Sequence, residues 1–214
     1  MPSKENLGRS LAPPGLIEGF PMKLIFSERF EAALVYANQI HAGQVRRKTG
    51  MPYIAHLLGV TGIVLEHGGT EEEAIGALLH DAVEDAGGPG RLEDICGRFG
   101  AKVAEIVHGC TDSDAMPRPP WRERKTAYLE HLPQASDSVR LVSAADKLHN
   151  ARALLRTYRK IGETVFERYS GGKAGTLWYY RALVNAFQAA GPRSIAEELD
   201  RVVAEIETLK RDQG

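Results

Sequence analysis

Cysteine is scarce in this chain: Cys96 and Cys110 are the only two among 214 residues. Two thiols cannot build a disulfide framework, and no second sulfur pair exists for a structural zinc site. The expectation is two buried thiols in a reducing compartment, the cytosol. A surplus of charge of one sign is missing too, because 27 basic residues stand against 28 acidic ones, a formal net charge of −1. Such a surface is not built to attract nucleic acid or an anionic membrane, so an anionic ligand must be met by a local basic cluster. Long apolar runs are also absent. Residues 1–20 lack the apolar core of a signal peptide, and no stretch approaches the ~18 residues of a membrane span. Neither sustained period-two alternation nor a repeat of fixed period occurs, which argues against sheets and solenoids.

What is present is helical spacing. Hydrophobic residues make up 43% and charged residues 26%, the balance of a soluble globular protein. Phe30, Leu34, Ala37 and Ile40 fall on one face of a helix that Ser27 can cap and that ends near Gly43. The segment QVRRKTGMPY (44–53) is a basic loop broken by Gly50 and Pro52. A second helix follows from Ile54 to Leu65 and closes at Gly68 and Gly69. Thr70 and Glu73 then form a capping box for a third helix through Ala74, Leu78 and Leu79. Further helical patterns occur at about 91–98, 101–111, 121–132, 138–158, 163–169, 174–190 and 193–211. The spacing predicts an all-α fold, one compact multi-helix domain over 23–214 behind a flexible N-terminal arm at 1–22. The last helix carries Ile195, Leu199, Val202, Val203, Ile206 and Leu209, suited to docking on its own domain or on a second copy in a homo-oligomer.

The chemistry concentrates in LLHDAVED, residues 78–85. On a continuous helix Glu84 stacks over His80 and Asp85 over Asp81, so four polar residues share one stripe beside core positions. Imidazole and carboxylate together are ligands for a divalent metal. His56 in YIAHLL and Asp146 in SAADKLHN are the best partners from elsewhere, since each is polar within an apolar helical run. Taken singly, His56 reads as a satisfied boundary histidine, Asp146 as a buried aspartate paired with Lys147, and Arg46, Arg47 and Lys48 as a solvated run. The coincidence of all of them, with an acidic pair and a basic loop, is what packing alone does not require. Lys173 in GGKAGT has neither the spacing nor the preceding strand of a phosphate-binding P-loop.

Four blocks, QVRRKTGMPYIAH (44–56), LLHDAVED (78–85), FGAKVAEIVHGCTD (99–112) and SAADKLHNARAL (143–154), resemble the hydrolase domain of the RelA/SpoT-type alarmone enzymes, within the HD metal-dependent phosphohydrolase superfamily. The resemblance is greatest to the small stand-alone alarmone hydrolases. It implies that His56, His80, Asp81 and Asp146 hold one divalent ion, usually manganese, and that Glu84 and Asp85 activate the attacking water and handle protons. It also implies that Arg47, Lys48 and Thr49 contact the nucleotide, that Asn150 lies beside the ribose and that Tyr180, or its neighbour Tyr179, lines the pocket. Leu57 stands where the family commonly has proline.

The expected activity is removal of the 3′-pyrophosphate from ppGpp or pppGpp, with a guanine nucleotide as the small-molecule partner and neither nucleic acid nor membrane involved. Two other readings keep the same residues: hydrolysis of another nucleotide such as NADPH, and a nucleotide-binding module without catalysis. The Glu84–Asp85 pair speaks against the last, because a pure binder does not need it.

Overall fold

Ser27 opens the first helix as its sequence suggests: its hydroxyl accepts the Arg29 N–H, and α1 runs Glu28–Ile40. The structure, a computed structural model, describes residues 26–85, 87–112 and 117–209. The expected arm at 1–22 lies outside the described residues, as do residues 113–116 of the proline-bearing segment. Next come α2 (Ile54–Glu66) and α3 (Glu71–Leu79), the latter begun by the Thr70–Glu73 capping box. A single turn, α4 (Ala82–Asp85), precedes α5 (Gly88–Phe99) and α6 (Ala101–Cys110). After α7 (Trp121–His131) the chain enters the 25-residue α8 (Asp137–Ile161), then α9 (Gly172–Ala190) and α10 (Arg193–Thr208). Among the described residues there is no strand, only one isolated bridge between Val45 and Pro52 that folds the basic loop into a hairpin-like turn. The segment at 163–169, read as α-helical from its spacing, is a 3-10 helix over Gly162–Arg168.

Two apolar clusters make the core. One gathers α8, α9 and α10 around Leu148, Leu154, Leu183, Phe187 and Leu199; the other gathers α1, α3, α5 and α6 around Leu57, Ile75, Leu79, Ile95 and Val103. Each fully buried aliphatic or aromatic side chain contributes about 1.5–3 kcal/mol relative to exposure. α2 serves both clusters, with Leu57 in one and Val60 and Val64 in the other. The apolar face of α10 is spent within the chain, where Ile195, Leu199 and Val203 are fully buried.

Two expectations need correction. Cys96 is exposed and only Cys110 is buried, because Cys96 falls on the solvent side of α5. The LLHDAVED stripe is not one helix: α3 stops at Leu79, and His80 and Asp81 form a turn before α4. The reason is local. The His80 ring Nδ1 lies 2.8 Å from the Ala77 carbonyl, so the side chain takes over an acceptor at the end of the helix.

Close helix packing sets opposite signs for two glycine substitutions. A Cβ on Gly76 would lie 2.6 Å from Cγ2 and 3.1 Å from Cβ of Ile106, a branched side chain on α6 with little room to move. Gly76→Ala should therefore destabilise by ~1–3 kcal/mol despite the helix preference of alanine. Gly62→Ala on α2 meets nothing within 4 Å and should stabilise by up to ~1 kcal/mol. Thermal melts of both variants check the pair, since each kcal/mol moves Tm by roughly 2–4 °C at this chain length.

Candidate metal centre and phosphate cleft

Three elements aim side chains at one point on the seam between the two clusters. α2 supplies His56, the turn after α3 supplies His80 and Asp81, and α8 supplies Asp146. His56, His80 and Asp146 each offer a ligand atom within 4.8 Å of the others, and all three are buried, to 2%, 2% and 5% exposure. Asp81 joins them less deeply, with Oδ2 3.1 Å from His80 Nε2 and 3.5 Å from His56 Nε2. Asp146 Oδ1 stands 3.2 Å from His56 Nε2 and 3.6 Å from His80 Nε2. The four residues singled out by sequence are therefore brought together.

The donor set fits a divalent ion. His80 Nδ1 can only donate to the Ala77 carbonyl, which leaves Nε2 with its lone pair, buried and without a hydrogen-bond partner. His56 Nδ1 is held by a second imidazole, 2.9 Å from His149 Nδ1. Imidazole ligands oriented through their second nitrogen are a general property of metal sites. The carboxylates are steered too: the Tyr53 hydroxyl donates to Asp81 Oδ2 at 2.5 Å, Lys147 donates to Asp146 Oδ2 at 2.7 Å, and Asn150 donates to Asp146 Oδ1 at 2.5 Å. Burial alone would raise the Asp146 carboxyl, yet the Lys147 ammonium outweighs it and holds the acid well below the ordinary range.

These groups form the floor of a cleft of about 340 Å³. Its walls carry Arg46, Lys48, Arg118, Arg124, Lys125, Lys147 and Arg168, seven cations against the four carboxylates Asp81, Glu84, Asp112 and Asp146. Such crowding shows in the lysines. Burial and then Arg46 lower Lys48 to about 8, and burial and then Lys147 lower Lys125 to about 7. Asp112 offsets part of the charge through Lys125 at 3.0 Å, Arg118 at 3.4 Å and a contact with Arg124. Glu84 faces the same space: its oxygens accept from the Asp112 N–H at 2.6 Å and from Arg118 at 2.5 Å. Burial, then the Asp81 charge, raises its carboxyl above the ordinary value.

The remaining expectations divide. Lys48, Thr49, Asn150, Tyr179 and Tyr180 line the cleft. Arg47 does not, being exposed, and its neighbour Arg46 lines the cleft instead. Asp85 is turned away as well: exposed, it accepts from Gln44 Nε2 at 2.9 Å, and one residue around a helix from Glu84 is ~100° away from it. The amide of Asn150 is occupied, with Arg46 on its oxygen and Asp146 on its nitrogen.

Several residues of the cleft gave little sign in sequence. Tyr53 and Lys147 sit beside motif positions and could have been found by adjacency. Lys125, Arg118 and Arg124 lie in a basic run that only the fold swings toward Glu84. Trp121 forms one wall, and SGGKAG receives it: a Cβ on Gly171 would lie 2.6 Å from its ring, and one on Gly175 3.2 Å. Those glycines are small for the sake of a tryptophan. Lys173 pairs with Glu163 outside the cleft. Across the cleft Arg168 donates to the Lys48 carbonyl at 2.7 Å, which ties the basic loop to the 3-10 segment after α8.

Residues 33–170 match the HD domain family. The chain is 42% identical over 127 residues to guanosine-3′,5′-bis(diphosphate) 3′-pyrophosphohydrolase MESH1 of Danio rerio, which covers 58% of this chain and 66% of that protein. It is 35% identical over 153 residues to the bifunctional (p)ppGpp synthase/hydrolase SpoT of Escherichia coli K12, 67% of this chain and 21% of the relative's length. A solved structure of a metazoan ortholog of SpoT, described as hydrolysing ppGpp and acting in starvation responses, superposes with a TM-score of 0.70 at 26% identity over 86% of this chain and 98% of that one.

The lysine environment makes anion binding depend on pH with a definite sign. Lys48 and Lys125, lowered to about 8 and about 7, lose their charge as pH rises through those values. Titration calorimetry with inorganic pyrophosphate should show affinity falling about tenfold or more from pH 6.5 to pH 9, since one charge-assisted hydrogen bond contributes about 1.5–3 kcal/mol. Net proton uptake on binding near pH 7.5 should accompany it, and a flat profile would sink the assignment.

Proposed function

The chain belongs to the HD-domain family and is homologous to the MESH1 and SpoT (p)ppGpp hydrolases, and from that premise we propose that it removes the 3′-pyrophosphate of guanosine 3′,5′-bis(diphosphate) with the aid of one manganese ion. The observation that carries the reading is the convergence of His56, His80 and Asp146, flanked by Asp81, on the floor of a cleft whose walls are predominantly cationic. A ligand with two diphosphates matches that charge. The products are guanosine 5′-diphosphate, or the 5′-triphosphate from pppGpp, and pyrophosphate. The pyrophosphate is released whole because water attacks the 3′ ester phosphorus, the bond to the 3′ oxygen breaks and that oxygen leaves as the ribose hydroxyl.

His56, His80, Asp81 and Asp146 would hold the ion. A divalent ion bound there supplies acidified water and a polarised phosphoryl oxygen. The chain's own side chains do the rest. Lys147 keeps Asp146 ionised, so the carboxylate stays available as a ligand. Glu84 is the proton acceptor: it faces the cleft, its raised carboxyl lies nearer neutrality than an ordinary glutamate, and each oxygen keeps a lone pair beyond the bonds to the Asp112 N–H and Arg118. Arg118, Arg124 and Lys125 lie on the Glu84 side and balance charge on the departing pyrophosphate; Arg46 and Lys48 lie on the other side, toward the remaining phosphates. Tyr180 and Trp121 supply aromatic wall for the base and sugar. Asp85 takes no part in proton transfer in this scheme and instead steadies Gln44 at the base of the basic loop.

Among the described residues no helix is long and apolar enough to cross a membrane. We place the protein in the cytosol, where its nucleotide substrate is found, with no role in binding nucleic acid.

Manganese-loaded protein should release pyrophosphate, not orthophosphate, from ppGpp, and should turn over NADPH more slowly under the same loading; the reverse order would overturn the substrate assignment. Glu84→Gln should lower kcat by ~10²–10⁴ with manganese uptake unchanged, as measured by steady-state kinetics beside metal titration. Asp146→Asn should abolish both metal retention and turnover.

A further inference from the structure

We propose that Arg46 is a positioning residue for the metal centre, acting on two ligands at once: through His149 it keeps His56 Nε2 free of hydrogen, and through Asn150 it aims an amide N–H at Asp146. The inference rests on the ligand assignment above and adds what prepares those ligands.

A guanidinium only donates and stays protonated. Its Nη1 lies 3.4 Å from His149 Nδ1, and its Nη2 donates to Asn150 Oδ1. His149 Nδ1 therefore meets a donor with its lone pair, and the ring carries its hydrogen on Nε2. The same Nδ1 stands 2.9 Å from His56 Nδ1, which must then be the donor of that pair. An imidazole with its hydrogen on Nδ1 has a bare Nε2, and in His56 this is the atom facing Asp146 Oδ1 at 3.2 Å and Asp81 Oδ2 at 3.5 Å. The opposite tautomer would point an Nε2–H at Asp146 and tie two ligands to each other in a hydrogen bond. Arg46 selects against it.

The second branch obeys the same logic. With its oxygen facing Arg46, Asn150 can present only its NH2 group to Asp146 Oδ1, 2.5 Å away. Gly59 completes the arrangement, since a Cβ there would lie 2.4 Å from His149 Nε2 and push the ring off its place. The two branches diverge from one fork of N–H groups, which an ammonium does not reproduce.

The test is manganese titration of the full chain without nucleotide. Arg46→Met should raise the manganese Kd by ~10–100-fold, the usual effect of losing an outer partner of a metal ligand, and Arg46→Lys should not restore it. In a His149→Phe background Arg46→Met should cost distinctly less than in wild type, because the shared path is already cut. Imidazole ¹⁵N spectra of the zinc-loaded wild-type protein, which do not depend on any variant folding, should show His149 with its hydrogen on Nε2. Unchanged manganese affinity in Arg46→Met with only KM increased would overturn the proposal and make Arg46 a substrate contact. A His149 hydrogen on Nδ1 would overturn it as well. Failure of wild type itself to take up manganese would defeat the ligand assignment, a result distinct from either.

Discussion

The carboxylate of Asp146 is a charge placed in the middle of apolar packing, and the site is built around the need to keep it there. A carboxylate removed from water costs several kcal/mol unless it is paired and hydrogen-bonded. Asp146, at 5% exposure between Ala145 and Leu148 on α8, accepts from Lys147 and Asn150 and stands beside His56 and His80. Three of these neighbours are held in turn: Asn150 by Arg46, His56 by His149, His80 by the Ala77 carbonyl. The result is a polar network threaded through the seam of the core, in which the direction of nearly every hydrogen bond is forced by a group that can only donate or only accept. That determinacy is what a metal site requires, since the ligands must show lone pairs to one point before the ion arrives.

Much of this was legible in the sequence, and the limits have physical causes. Local signals were reliable because they are satisfied within a few residues: Ser27 caps α1, and Thr70 with Glu73 boxes α3. The convergence of His56, His80, Asp81 and Asp146 was legible only from their coincidence with an acidic pair and a basic loop, since each residue taken singly reads as ordinary packing. Placement differs from expectation where one residue of phase matters. Arg47 and Asp85 were chosen beside Arg46 and Glu84, and neighbours in a turn or a single helical turn face different ways. The break at His80 depends on a side chain capturing a backbone carbonyl, which spacing does not encode. The match of Trp121 to Gly171 and Gly175 joins residues fifty apart and has no local signature at all.

Composition also concealed the electrostatics. A chain of net charge −1 carries a cleft with an excess of cations, so the global balance says nothing about the local field. Other arginines compensate elsewhere by pairing with carboxylates on the outer helices, as Arg181 does with Asp200 and Glu207. In the cleft the cations outnumber the carboxylates, and burial first, then Arg46 beside Lys48 and Lys147 beside Lys125, lowers those two lysines. Asp112 and Glu84 offset that excess on one flank.

The bond from Arg168 to the Lys48 carbonyl joins residues 120 positions apart, and it bears on how the molecule is made as well as on how it works. During synthesis the basic loop leaves the ribosome early, next to helices that can already begin to pack. Its anchor is not translated until α8 and the segment after it have followed. A chain interrupted between Asp81 and Arg168 holds the two histidines and Asp81 and lacks the anchor that ties the loop. The cleft is thus among the latest parts of the fold to be completed, and the helices alone do not suffice to make it.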